Sequence, residues 1–168
     1  MNLEQLKKNG LKVGKNFRPI FDVFIDRSHT HHIEIGDDVT ISSKASILAH
    51  DAAMLKHLGH VEVGKVKIGN KVFIGFGSII LPGTVIGDNC IIGAGSVVKG
   101  VFPEGTVISG NPAKVKMSLE EYKSKKRDVI SSKPIFDSSY TYQKDMSDCM
   151  KDEMNEIIED IGYIKVGK

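Results

Sequence analysis

The sequence predicts a mainly β protein folded as a parallel β-helix, and three features of its repeat carry that expectation. First, an aliphatic residue recurs at every sixth position from Ile68 through Ile74, Ile80, Ile86 and Ile92 to Val98. An α-helix has a period near 3.6 and a half-buried strand a period of 2, so neither produces this beat. A solenoid does, if each hexad forms one flat face and three hexads close one coil. Second, Gly follows the aliphatic at Gly69, Gly75, Gly87 and Gly93, and two residues later stand Lys71, Gly77, Gly83, Asn89 and Gly95. Most of these tolerate positive φ, which a corner turning the same way every six residues requires; other residue types cost roughly 1–2 kcal/mol each there. Third, the next position holds Val72, Ser78, Thr84, Cys90 and Ser96, small or β-branched side chains suited to a tight interior.

Composition agrees and excludes several classes. A chain of 168 residues with 40% hydrophobic residues, 17 Gly and no Trp suits one domain with an appendage and a turn at every corner. A net charge of +2 is too near neutral to argue for nucleic acid. Cys90 falls in a small interior slot and reads as a buried thiol, and with Cys149 it makes no disulfide framework. The opening MNLEQLKKNG has no apolar h-region, and no run approaches the ~20 apolar residues that span a bilayer. The expectation is a cytoplasmic protein without membrane insertion.

Residues 1–12 read as a short amphipathic helix, with Asn2 and Gln5 as a capping box, Leu3 and Leu6 on one face and Gly10 as its stop. The coil occupies 13–116. Its beat is worn at first (Val13, Pro19, Ile25), breaks at the RSHTHH stretch of Arg27–His32, and restarts at Ile35. Ile47 and Ile68 are 21 residues apart, not a multiple of six, so a loop over 49–65 is inserted. Solenoid insertions gather on one face, often the binding face. After Val98 the segment KGVFPEGTVISGNPAKVK closes the open end. Residues 117–168 form a C-terminal helical extension: a helix from Ser118, a loop with Tyr140 and Tyr142, and a helix ending at Gly162. In that last helix Met150, Met154, Ile157, Ile158 and Ile161 form a packing stripe.

The segments KVKIGNKVFIGFGSIILPGTVIGDNCIIGAGSVV and FPEGTVISGNPAKV, preceded by ILAHDA, resemble the bacterial hexapeptide-repeat acetyltransferases, most nearly the sugar O-acetyltransferases of surface-polysaccharide biosynthesis. The maltose, galactoside and xenobiotic acetyltransferases are wider relatives. The resemblance covers about Val13 to Lys116 and implies what the repeat alone does not: a left-handed coil, a homotrimer and acetyl-CoA as donor. It implies that His50, where the chain leaves the coil, is the catalytic base. Histidine suits, because its ordinary pKa lies near neutrality and the acceptor hydroxyl must lose a proton as it attacks the thioester. Both substrates can react directly in one ternary complex.

By the same resemblance, Gly75-Phe76-Gly77 and Gly93-Ala94-Gly95-Ser96 lie along the pantetheine arm, where glycine lets a thin chain approach the backbone. Lys99 and Lys114 are the candidates for the nucleotide phosphates. Lys99-Gly100-Val101 replaces the family's usual Thr-Lys-Asp, so the basic residue has moved by one position. For the carbohydrate acceptor the match points to Asp22 and Asp26, with Asp51 and His57 available from the inserted loop. Asp51 reads as a loop anchor rather than as the partner of His50, because neighbours on an extended chain point to opposite faces.

Alternative functions remain at this stage. N-acetylation of an amino sugar needs no different base. A γ-type carbonic anhydrase shares the fold but shows two histidines five residues apart with a third upstream, and no pair among His29, His31, His32, His50, His57 and His60 has that spacing. The expectation is therefore no metal. A non-catalytic trimeric scaffold is the remaining class.

Overall fold

The computed structural model describes residues 2–141 and 144–166; Tyr142 lies outside them. The chain visits three parallel sheets in rotation. Face I stacks Lys12–Val13, Ile33–Ile35, Val66–Ile68, Val85–Ile86 and Val101–Phe102. Face II stacks Arg18–Pro19, Thr40–Ile41, Phe73–Ile74, Ile91–Ile92 and Thr106–Gly110, and ends on the antiparallel strand Ala113–Ser118. Face III stacks Phe24–Ile25, Ser46–Ile47, Ile79–Ile80 and Val97–Val98. Most strands are two residues long, so none is stable alone, and the ladder between coils holds each in place. In the regular part Phe73 pairs with Ile91 and Ile79 with Val97, each 18 positions on. The N–H of Gly75 donates to the Ile92 carbonyl at 2.9 Å.

Two coils depart from that length. Lys12 pairs with Glu34, Arg18 with Thr40 and Phe24 with Ser46, all 22 positions apart. The four extra residues are taken up where the His-rich stretch folds into the 3₁₀ turn Thr30–His32, whose buried Thr30 hydroxyl donates to the Asn9 carbonyl at 2.7 Å. Ile35 pairs with Ile68, 33 positions on, which leaves fifteen residues to the insertion. That insertion is more than a loop: His50–Asp51 and Glu62–Val63 pair antiparallel, with a short helix at Leu55–Leu58.

The interior is a column of aliphatics. Ile41, Ile74, Ile92 and Ile108 stack on face II, Ile47, Ile80 and Val98 on face III, and Ile35, Ile68, Ile86 and Phe102 on face I, all buried. The interior hydroxyls are satisfied by carbonyls: Ser78 donates to Gly93 at 2.9 Å, Thr84 to Leu81 at 2.7 Å and Ser96 to Gly93 at 2.6 Å. Cys90 is buried and Cys149 exposed, both as free thiols. The corners adopt positive φ in register: Asn16, Asp38, Lys71, Asn89 and Gly105 between faces I and II, and Asp22, Lys44, Gly77 and Gly95 between faces II and III. Lys71 and Lys44, the residue type least suited to that conformation, have φ 54° and 61°.

The N-terminal helix α1 spans Leu3–Lys8; the Asn2 side chain accepts from the Gln5 N–H at 3.1 Å and Leu6 is buried. Residues 121–168 form a second compact unit. The helix Leu119–Ser131 runs into it, and the helix Asp148–Ile157 lies within it. That helix stops short of Gly162 because Ile158 turns extended (φ −85°, ψ 108°). A parallel pair, Ile135–Phe136 with Tyr163–Ile164, follows from that turn and carries too few residues to show a period in the sequence. Within the expected stripe, Met150, Met154 and Ile158 are half-buried, while Ile157 and Ile161 are exposed. Among the described residues no helix is long and apolar enough to cross a membrane.

If the aliphatic column holds the coils together, Ile74→Ala should destabilise the protein by about 2–5 kcal/mol. Lys67→Ala, on an outward position of face I, should change stability by no more than about 0.5 kcal/mol. Denaturant unfolding of both variants checks this; equal effects would mean that the column is not the main source of stability.

Candidate active site

Ile25 pairs with Ile47 on face III, so the register lays the corner after Ile25 against the corner after Ile47. Asp26 follows the first and Ala49-His50 the second. Asp26 is only 1% exposed, and its carboxylate is enclosed by donors. Oδ1 accepts from the N–H groups of Ser28 at 2.9 Å and His29 at 3.3 Å, and Oδ2 from the N–H of Ala49 at 3.0 Å. The same Oδ2 lies 2.5 Å from His50 Nδ1. An ionised carboxylate can only accept, so Nδ1 carries a proton, and in the neutral form of the ring Nε2 is left with the lone pair. The His50 side chain keeps 34% of its surface exposed, which leaves the ring accessible to a ligand.

Burial by itself would raise the Asp26 pKa. The hydrogen bond from His50, those from the Ala49 and Ser28 backbone, and the charge on His50 outweigh it and hold Asp26 below the ordinary carboxylate value. A short His–Asp contact of this kind fixes the ring, selects its tautomer and stabilises the imidazolium once the ring gains a proton.

The sequence reading placed Asp26 among the acceptor contacts, and the geometry puts it elsewhere. Its oxygens face protein donors in the interior, so it has no free edge for a diol. Asp51, next to His50 in the chain, points away: its Oδ1 accepts from the Ala53 N–H at 2.8 Å and turns the start of the insertion. His57 lies on the exposed helix Leu55–Leu58. Asp22 is exposed at a corner between faces II and III and lines a cleft of about 450 Å³ together with Asn2, Gln5, Asn9 and Arg27.

The remaining candidates divide between two edges. Gly75-Phe76-Gly77 and Gly93-Ala94-Gly95 are stacked at the corner between faces II and III, and Phe76 is exposed with Lys44 Nζ 5.6 Å from its ring centre. At Gly75 a Cβ would come within 2.6 Å of the Ala94 nitrogen, so coil packing alone already demands glycine there. Ser96 turns inward: it is fully buried, donates to Gly93 and accepts from the Gly110 N–H at 3.2 Å, so it has no surface for a ligand. Lys99 is on the His50 edge, between faces III and I, where its Nζ meets Glu62 of the insertion at 2.9 Å. Lys114 is exposed on the closing strand.

Sequence reasoning did not bring His29 to the site. Its ring centre is 4.9 Å from that of His50, and its Nδ1 is shielded from solvent without a partner among the described residues. His31 and His32 lie against each other at 4.2 Å. Desolvation, then the charges of His31, His29 and Lys65, lowers the His32 pKa. Asp26, His29 and His50 each offer a ligand atom, all within 4.8 Å of one another.

The family of bacterial transferase hexapeptide proteins (six repeats) matches residues 65–100. Protein CapG of Staphylococcus aureus is 39% identical over 130 residues, which are 73% of this chain and 74% of that one. The putative lipopolysaccharide biosynthesis O-acetyl transferase WbbJ of Escherichia coli is 39% identical over 95 residues, covering 49% of this chain and 48% of its own length. A galactoside acetyltransferase solved in complex with coenzyme A superposes with a TM-score of 0.62 at 31% identity, covering 68% of this chain and 58% of that one. Of the curated acetyltransferases it matches first, the chain spans 48% to 62% of their length.

The depressed pKa of Asp26 gives a signed expectation. Its ionised form stabilises the fold above the ordinary carboxylate range, near pH 4, and that contribution is lost as pH falls through the lowered value. Asp26→Asn should therefore cost about 1–3 kcal/mol at pH 7, and its deficit should shrink toward zero in acid. Unfolding titrations of both proteins from pH 7 to pH 2 check this; a deficit independent of pH would mean that Asp26 is not ionised in the fold.

Proposed function

The chain belongs to the bacterial hexapeptide-repeat transferases, and from that membership we propose that it is an acetyl-CoA-dependent O-acetyltransferase whose acceptor is the hydroxyl of a sugar or nucleotide-sugar. The single observation that carries the reading is the His50–Asp26 pair, at the point where the chain leaves the coil. The galactoside acetyltransferase bound to coenzyme A supports the donor. WbbJ, named for lipopolysaccharide biosynthesis, supports a surface-polysaccharide acceptor, and we place its modification in the cytoplasm.

In this reading the acceptor hydroxyl lies at His50 Nε2. As its oxygen attacks the thioester carbonyl, its proton passes to Nε2 and Asp26 stabilises the imidazolium through Nδ1–H. The tetrahedral intermediate collapses, the carbon–sulfur bond breaks and the leaving thiolate takes the proton back from Nε2. The enzyme returns to its starting tautomer and no covalent acyl-enzyme forms. Asp26 acts only through His50, as a positioning residue. The cleft at Asp22 and Arg27, with the amides of Asn2, Gln5 and Asn9, offers the mixed donors and acceptors that a polyol takes.

We further propose a left-handed coil and a homotrimer, as the resemblance implies, with each site shared by two copies. What supports sharing is that the His50 corner and the glycine corner border face III on opposite sides. A neighbouring copy can set its glycine edge against the first copy's His50. The pantetheine arm would then run along Gly75-Phe76-Gly77 and Gly93-Ala94-Gly95, with Lys114 and Lys99 toward the phosphates.

Thiol release from acetyl-CoA, screened over sugars and amino sugars, tests the proposal, with calorimetry for acetyl-CoA binding. His50→Ala should fold and bind acetyl-CoA yet lose about 10²–10⁴-fold in turnover; near-normal turnover would remove the mechanism. Lys114→Ala should raise the Michaelis constant for acetyl-CoA about tenfold, the equivalent of one charge-assisted hydrogen bond, with that of the acceptor unchanged. An unaltered constant would take Lys114 out of the donor site.

A further inference from the structure

We propose that Asp26, His29 and His50 form a binding site for a divalent transition metal of the zinc type, and that occupation of this site switches the transferase off. The ligand atoms of the three residues lie within 4.8 Å of one another. They reach that arrangement through the irregular first coil and the strand register that joins it to the second. The four extra residues of the first coil let the chain fold back after Asp26, whose Oδ1 draws in the Ser28 and His29 N–H groups. The register of face III then brings His50 onto the same carboxylate. A search for histidines at fixed sequence spacing misses this set, because its ligands come from two coils.

A second, independent observation points to a ligand. His29 Nδ1 is shielded from water and has no hydrogen-bond partner among the described residues. Leaving a buried polar atom unmade costs about 1–3 kcal/mol, which a bound cation would relieve. Two imidazoles and one carboxylate are a donor set that zinc accepts, with a water or substrate atom in the fourth position. Ligand atoms around a tetrahedral zinc sit roughly 3.3 Å apart, from metal–ligand distances near 2.0–2.1 Å. The Asp26–His50 contact at 2.5 Å would open slightly and the His29 ring close in.

The consequence for activity rests on His50 acting as the base; metal binding itself does not. In the free site the ring holds its proton on Nδ1 and offers the Nε2 lone pair. A metal bound at Nδ1 takes the place of that proton, and the neutral ring then carries its hydrogen on Nε2. The acceptor hydroxyl meets an N–H donor where it needs a lone pair. No net proton leaves His50 and nothing is oxidised, so removing the metal restores the base.

The test uses the full chain stripped with a chelator and titrated with Co²⁺, followed by its visible absorption, then with Zn²⁺ by calorimetry and competition. The expected result is one metal per chain, with affinity at least tenfold weaker in His29→Phe, which keeps the ring volume and removes both nitrogens. The ratio of transferase rates with and without zinc is read within each variant, so that any effect of the substitution on the basal rate cancels. It should fall at least tenfold in the parent, recover with EDTA and stay near one in His29→Phe. No stoichiometric binding, or binding untouched by His29→Phe and therefore seated at histidines such as His31 and His32, overturns the site. Full activity with the site loaded overturns the switch. Loss of all transferase activity in metal-free protein that still binds one Zn²⁺ through His29 would count against the acetyltransferase reading and leave the site standing.

Discussion

Everything in the first 120 residues depends on one constraint: each coil must lie in register on the next. Two-residue strands have no stability of their own, and an isolated pair of strands is marginal at best. The ladder is useful only because the aliphatic column desolvates it from within, from Ile41 through Ile74 and Ile92 to Ile108 on face II. The corners are tied to the same register. Asp88 binds the Asn70 N–H at 2.8 Å and Asn70 binds that of Asp37 at 2.8 Å, so side chains on one edge bridge successive coils where strand hydrogen bonds stop. A residue's neighbours are therefore set by its coil position, and its distance in sequence says little.

That is why the fold was legible in the sequence and the site only half so. The six-residue beat from Ile68 to Val98 is uninterrupted, and the positive-φ corners fall where it puts them, Lys71 included. His50 stands out because the beat breaks just after it and because the resemblance at ILAHDA points to it. Its partner does not. Asp26 belongs to a coil of 22 positions, four longer than the regular ones, and without the pairing of Ile25 with Ile47 nothing connects residues 24 apart. The break at Arg27–His32 was visible, but its length could not say how the next coil would re-register. An aspartate is most often exposed, and the sequence reading treated this one accordingly. Ser96 is hidden for a simpler reason, since the small residue that fits the interior slot is thereby unavailable at the surface.

The burial of Asp26 also explains why a histidine at the edge of a solenoid can have a fixed orientation. A carboxylate taken from water is strongly penalised unless donors surround it. Three backbone N–H groups supply that enclosure before His50 contributes. The backbone donors come from both coils and act together with the His50 hydrogen bond, which contributes most to holding the carboxylate ionised against its burial. A ring beside such a charge is restrained at Nδ1 and free at Nε2, a division of labour that proton transfer and metal binding would each exploit from opposite ends.

The insertion completes the geometry at small cost. Closing a loop of fifteen residues rather than a shorter one adds little entropy, since each doubling of length costs only about 0.6 kcal/mol. Its base is pinned twice, by the antiparallel pair of His50–Asp51 with Glu62–Val63 and by Glu62 on Lys99 of a later coil. The Glu62–Lys99 pair is exposed and contributes little stability as such, yet both restraints act within a residue or two of where the backbone bearing His50 leaves the coil. The tip bears none of them, and Met54, Leu55 and Leu58 are exposed on it. A segment tied to the coil at its root and apolar at its tip holds the backbone of His50 in place while it presents Met54, Leu55 and Leu58 at its far end.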